Sequence, residues 1–116
     1  MALMEDTGWY LPNYDMAEEL TWGKNLGCDF ALKSCKEWME SRKKAGKSIH
    51  PYCNKVKQDP LETECTEDRS SVVLCNLVHH SHMLPPPFQN IDNIPHVPKK
   101  DAVYYGGSAA LADYCP

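Results

Sequence analysis

The sequence predicts a small α+β fold, loop-rich and stabilised by disulfides. Three observations carry this: one segment of helical periodicity, one β-branched apolar run, and six cysteines set among nine prolines and six glycines. The 116 residues (13.2 kDa) amount to one domain or part of one. With 42% hydrophobic and 24% charged residues, neither disorder nor a rod is expected. A chain so often broken by proline must lean on covalent cross-links more than on core area.

Taken in order, Met1 to Thr7 reads as the last turns of a helix stopped by Gly8, and Trp9 to Tyr14 as an extended aromatic segment in which Pro12 holds Leu11 out of the helical region. Asp15 is placed to cap a short helix over Met16 to Leu20, with Glu18 three residues on. Trp22 to Gly27 is a turn-rich link. From Asp29 the period becomes 3.6, with Cys28, Leu32, Cys35, Trp38 and Met39 on one face, Arg42, Lys43 and Lys44 at the negative end and Gly46 as the stop. His50 to Cys53 and Asp59-Pro60 mark loops. Val72 to Val78 reads as a buried or half-buried strand. Pro85, Pro86, Pro87, Pro95 and Pro98 favour extended coil, Tyr104 to Ser108 is a turn, and Ala109 to Ala112 a helical turn. There is no internal repeat.

Composition also excludes functions. Twelve basic against sixteen acidic residues leave a net charge of -4, and the basic cluster Arg42 to Lys47 is accounted for by a helix end, so nucleic acid is not an expected partner. No apolar run approaches the length that spans a bilayer, and the first residues carry no export signal. Disulfide-style cysteine usage without such a signal predicts an internal piece of a longer secreted precursor. The cysteines contain no closely spaced pair of the kind that builds a zinc knuckle. His79, His80 and His82 are the one concentrated set of metal-ligand types. On a strand His80 and His82 would share a face, but zinc needs a third protein ligand and none is assignable. No histidine is followed by glutamate, so His-Glu-x-x-His is absent. Gly107-Ser108 lacks the nucleophile elbow, and there is no Asn-x-Ser/Thr acceptor. The residues present do not complete an active site.

Several blocks carry a resemblance: Met1-Ala2, Asp6-x-Gly8-Trp9-Tyr10, Met16-Ala17-Glu18, Trp22-Gly23, Gly27-Cys28-x-Phe30, Cys35, Tyr104 to Ser108 and Asp113 to Pro116. They are similar to the segment just beyond the Met-turn of leishmanolysin-type metallopeptidases, most of all to the animal branch. The stretch from Ser41 to Lys100 matches mainly through Cys53, Cys65, Cys75 and the proline-rich run. The resemblance implies a parent of the metzincin type, a zinc endopeptidase whose metal is held by His-Glu-x-x-His and a further histidine above a Met-turn. All of these lie upstream of Met1 in the family order. No catalytic or metal role therefore passes to any residue here, and neither Met4 nor Met16 is the Met-turn methionine.

The resemblance further implies that Cys35 pairs with Cys115 and Cys53 with Cys75, with Cys28 bonded to the missing N-terminal part and Cys65 to a partner beyond Pro116. In the chain-entropy view the two internal loops are worth about 4.5 and 3.4 kcal/mol. Residues 1–27 would be the tail end of the catalytic-domain region after the Met-turn, and residues 28–116 an incomplete disulfide-rich C-terminal module. The expected function is thus that of a fragment of a zinc-dependent endopeptidase acting on protein or peptide substrates, linked in its animal members to cell adhesion and migration. The chain alone is expected to bind no zinc and to be inactive. Two alternatives stay open: a secreted, non-catalytic binding or adhesion module, and a zinc-binding loop at His79 to His82. The expected location is the secretory pathway, extracellular or membrane-associated, with the cytoplasm as the alternative.

Overall fold

In the computed structural model, which describes residues 2–58, 60–66 and 68–116, helix α1 spans Ala2–Asp6. Gly8 ends it at φ +71°, its N–H donating to the Glu5 carbonyl at 2.8 Å. Two expectations, the part of this helix at Met1 and the Asp59 side of the Asp59-Pro60 loop, lie outside the described residues. The helix expected over Met16 to Leu20 is not formed. Instead a single 3-10 turn covers Tyr14–Met16, and it is Asn13, not Asp15, that caps it, accepting from the Asp15 N–H. Asparagine one residue earlier offers the same side-chain acceptor and tightens the chain before a helix can propagate.

The segment with period 3.6 is broken in two, α2 (Cys28–Leu32) and α3 (Cys35–Lys44). Ser34 is the reason. Its hydroxyl accepts from the Glu37 N–H at 3.2 Å while the Glu37 carboxylate accepts from the Ser34 N–H at 3.3 Å, a reciprocal cap that starts a new helix. The kink corrects the expected face: Cys28 and Leu32 are exposed, while Cys35, Trp38 and Met39 are buried. Arg42, Lys43 and Lys44 occupy the last turn, with Gly46 beyond it at φ +64°.

The apolar run from Val72 to Val78 is not one strand. Strand β1 (Thr63–Cys65) pairs antiparallel with β2 (Val72–Leu74), and β3 (Leu77–His79) pairs antiparallel with β4 (Tyr105–Gly107) in a separate sheet. Between them Asn76 turns the chain: its carbonyl accepts from the Ser108 N–H at 3.0 Å. Contrary to expectation β2 is exposed throughout, whereas Leu77 is fully buried. The predicted turn at Tyr104 to Ser108 is therefore mostly strand, preceded by a 3-10 helix at Lys99–Tyr104. The prolines at 85–87 lead into a 3-10 turn at Pro86–Phe88 rather than continuous coil, and a last 3-10 turn covers Ala110–Ala112.

Two apolar clusters result. Leu77, Ile91, Ile94 and Ala102 form one, flanked by Val56, Cys75, Val97 and Tyr105. The other is aromatic: Phe30 lies 4.9 Å from Trp22, 5.1 Å from Trp38 and 5.7 Å from Tyr52 between ring centroids, and the Arg42 guanidinium caps Trp38 at 5.3 Å. Burial raises the Tyr52 phenol above its ordinary pKa.

The C-terminal loop closes on this body through a glycine. A Cβ on Gly107 would fall 2.2 Å from the Cys115 carbonyl oxygen, so only glycine lets the two backbones approach. The Gly107 N–H donates to the Tyr114 carbonyl at 2.7 Å. Asp113 and Tyr114 both lie in the left-handed region, at φ 51° and 54°, which costs non-glycine residues energy and must be held from outside. Asn90, the buried polar residue of the interior, supplies one hold: its amide donates to the Asp113 carbonyl at 2.6 Å. Gly107→Ala should therefore cost about 1 to 3 kcal/mol by forced overpacking. Gly8→Ala, which meets no neighbour within 4 Å, should cost no more than about 1 kcal/mol for its positive φ alone. Denaturant titration of both variants checks the ranking.

Candidate functional site

The histidine group is spread by the end of β3. His79 is the last strand residue, its ring stacked on Tyr104 at 5.8 Å and edge-on to Tyr105 at 5.0 Å. The strand stops there, so the alternation that would place His80 and His82 on one face does not continue. His80 donates its backbone N–H to Tyr104 at 2.7 Å and sets its ring against Tyr114 at 5.3 Å. His82 is exposed, with its ring 6.4 Å from that of His80 and its Nδ1 3.3 Å from the Ser81 hydroxyl. Among the described residues there is no group of three or more His, Cys, Asp or Glu able to hold a metal ion. A catalytic zinc needs three protein ligands, so the described donors do not fit one.

The cysteines are arranged differently. Cys35, at the start of α3, is joined to Cys115 across 80 residues, and Cys53 to Cys75 across 22. Cys28 and Cys65 are free and exposed, on α2 and β1 respectively. Both bridges border one groove of about 630 Å³, whose walls include Trp22, Pro51, Tyr52, Val73, Leu74 and Pro116. Sequence reasoning missed this groove and the Asn90 latch. Trp22 and Tyr52 lie in loops with no periodicity to link them, and a lone asparagine carries no local sign of burial.

Polar groups on the hairpin make exposed networks. The Lys55 ammonium lies 3.1 Å from Glu62 and 3.2 Å from Glu64, contacts that raise its pKa, with Glu62 the larger cause. Next to β1, Asp68 accepts from the Thr66 hydroxyl at 2.5 Å and from the Ser70 N–H and hydroxyl at 3.0 and 2.9 Å. These bonds, the Thr66 hydroxyl first, hold its carboxyl below the ordinary carboxylate range. A folded-state pKa below the unfolded one means the contribution is full above the unfolded pKa and is lost as pH falls through the folded one. The Ser70 amide resonance should therefore titrate in acid, below the ordinary Asp range, and Asp68→Asn should abolish that step in an NMR pH series.

Among the described residues no helix is long and apolar enough to cross a membrane. A family model described as Leishmanolysin, a peptidase family, matches residues 1–116. The chain is 59% identical over 116 residues to a leishmanolysin-like peptidase of Drosophila melanogaster, and 50% identical over 120 aligned positions to one of Caenorhabditis elegans. It is 30% identical over 118 positions to a leishmanolysin of Leishmania donovani. In each case the whole chain is covered, but it spans only 17%, 18% and 17% of the relative's length. No solved structure matches.

Proposed function

From the premise that the chain belongs to the leishmanolysin family of peptidases, we propose that it is a C-terminal-region piece of a zinc-dependent metalloendopeptidase that hydrolyses protein substrates. The observation that carries this reading is a family match along the entire chain joined to coverage of about a sixth of its animal relatives. The remaining length is where a metal site would lie. The described residues of this chain do not fit zinc, so a metal-dependent step would belong to the rest of the protein.

What these residues do is mechanical. Among the described residues every fully buried one lies between Cys35 and the C-terminus, whereas Leu3, Trp9, Leu11, Met16 and Leu20 stand in the open. This supports the division at about residue 27: an N-terminal stretch that finishes the catalytic region of a metzincin-type parent, and a disulfide-tied module from residue 28. The module would buttress the floor of the catalytic region, with Cys28 bonded to the preceding part and Cys65 to the part beyond Pro116. The two internal bridges favour an oxidising compartment, hence the secretory pathway with an extracellular or membrane-associated product. Roles in adhesion and migration would belong to that whole protein.

The full-length protein should cleave casein in a reaction abolished by a zinc chelator and restored by zinc. The 116-residue chain alone should show no turnover above background and no stoichiometric zinc by elemental analysis. Chelator-sensitive proteolysis by the isolated chain would sink the reading. Disulfide mapping of the full-length protein should place Cys28 and Cys65 in bonds that leave Cys35 with Cys115, and a bond from either to Cys35 would count directly against the scheme.

A further inference from the structure

The basic cluster at the end of α3 is larger than the helix needs. Arg42, Lys43, Lys44 and Lys47 put four cations within six residues, on a chain whose net charge is -4. A helix C-terminus carries only about half a negative charge, so most of this positive charge is left over. Nor do these side chains cap the helix. Backbone groups satisfy the last carbonyls: the Ala45 N–H donates to Ser41 at 3.1 Å, the Gly46 N–H to Lys43 at 3.0 Å and the Lys47 N–H to Arg42 at 2.9 Å. That turn, which the positive φ of Gly46 permits, folds the Lys47 backbone against Arg42. Lys43, Lys44 and Lys47 are exposed and make no ion pair among the described residues, not even with Glu40 one turn before Lys44. Lys24, Lys33, Lys36 and Lys55, by contrast, are each paired with a carboxylate. Arg42 is the anchored member. Its guanidinium lies over Trp38 at 5.3 Å and its Nε donates to the Ser48 carbonyl at 2.8 Å, while its terminal nitrogens have no hydrogen-bond partner among the described residues.

We propose that this helix end binds a sulfated polysaccharide, a linear glycosaminoglycan of the heparin class. Three consecutive cations, a two-residue gap and a fourth form a short basic run of the kind that makes heparin and nucleic-acid patches. Clustered oxyanions are what unpaired ammonium groups and a guanidinium fork recognise. Shape then chooses among polyanions. Successive helical residues are about 100° apart, so Arg42, Lys43 and Lys44 fan over about 200° of the helix, and Lys47 closes its end. A flat anionic membrane meets one side of such a knob, and a DNA duplex asks for a broader basic stripe than four cations on an acidic chain provide. A slender, flexible polymer with sulfates on both edges can bend round it. The choice of a sulfated glycan also rests on the reading above that the protein enters the secretory pathway, where such polymers are made and displayed.

The test measures binding of the full-length protein to immobilised heparin. Lys43→Gln/Lys47→Gln is compared with Lys99→Gln/Lys100→Gln, an exposed pair elsewhere that removes the same charge. At about 150 mM salt the first variant should bind at least about tenfold more weakly and the control within about threefold of the parent. A cluster variant that binds like the parent would overturn the inference. Lys43→Arg/Lys47→Arg should keep the affinity, and an equal loss there would count against a charge-based site. Desulfated heparin, duplex DNA and phosphatidylserine vesicles should each bind more weakly than heparin, whereas equal or tighter binding of any of the three overturns the choice of ligand. A footprint on the unmodified protein removes any dependence on how the variants fold. Heparin should shield Lys43, Lys44 and Lys47 from acetylation, read by peptide mass spectrometry, and leave Lys99 reactive; an unshielded cluster overturns the inference by itself. The two readings fail separately. A cytosolic protein that still binds heparin through Lys43 and Lys47 removes the secretory reading and leaves the site standing, whereas a secreted protein that ignores heparin removes this inference alone.

Discussion

The bond between Cys35 and Cys115 organises the rest of the molecule. It ties the first residue of α3, the helix that carries Trp38 and Met39 into the interior, to the end of a loop whose preceding two residues sit in left-handed backbone. Without a covalent hold, Asp113 and Tyr114 would relax and the Asn90 and Gly107 contacts would follow them. By the chain-entropy argument a loop of 80 residues is worth about 4.5 kcal/mol, close to the entire stability of a marginal domain. The second bridge works locally, holding the Pro51 to Cys53 loop against Cys75 between the two sheets.

Such dependence follows from shape. The chain extends over 51 × 30 × 29 Å with a radius of gyration of 16.7 Å, where a compact domain of this length has about 13 Å. The exposed Trp9, Tyr10, Leu11 and Tyr14 are held by local contacts alone: the Trp9 N–H donates to the Thr7 hydroxyl at 3.3 Å, Asn13 caps the turn at Tyr14–Met16, and the Tyr14 hydroxyl donates to the Glu5 carboxylate. An apolar stretch of that kind is a surface for contact with other protein, and the family match runs the full length of the chain while covering little of its relatives.

Local chemistry was legible in the sequence and distant pairing was not. Gly8 and Gly46 as helix stops, the basic last turn of α3 and the helical turn near Ala110 all follow from neighbours within four residues. The break at Ser34 was also written there, in Ser34-x-x-Glu37, but the hydrophobic period running through it was the stronger pattern and masked the cap. The division of Val72 to Val78 had no local sign, because it depends on Asn76 meeting Ser108 thirty-two residues away. For the site, family resemblance named cysteine partners that spacing leaves undetermined, whereas the groove depends on Trp22, Tyr52 and Pro116 converging from three unconnected segments.

The 80-residue span of the larger bridge also has a temporal side. At about 5 to 20 residues per second, Cys115 leaves the ribosome some 4 to 16 s after Cys35 does. During that wait Cys28 and Cys53 are already present in the same nascent chain, so in any oxidising compartment the first thiols offered to Cys35 are not its final partner. Any early bond from Cys35 to either thiol would have to be undone by thiol exchange before the bridge to Cys115 can close.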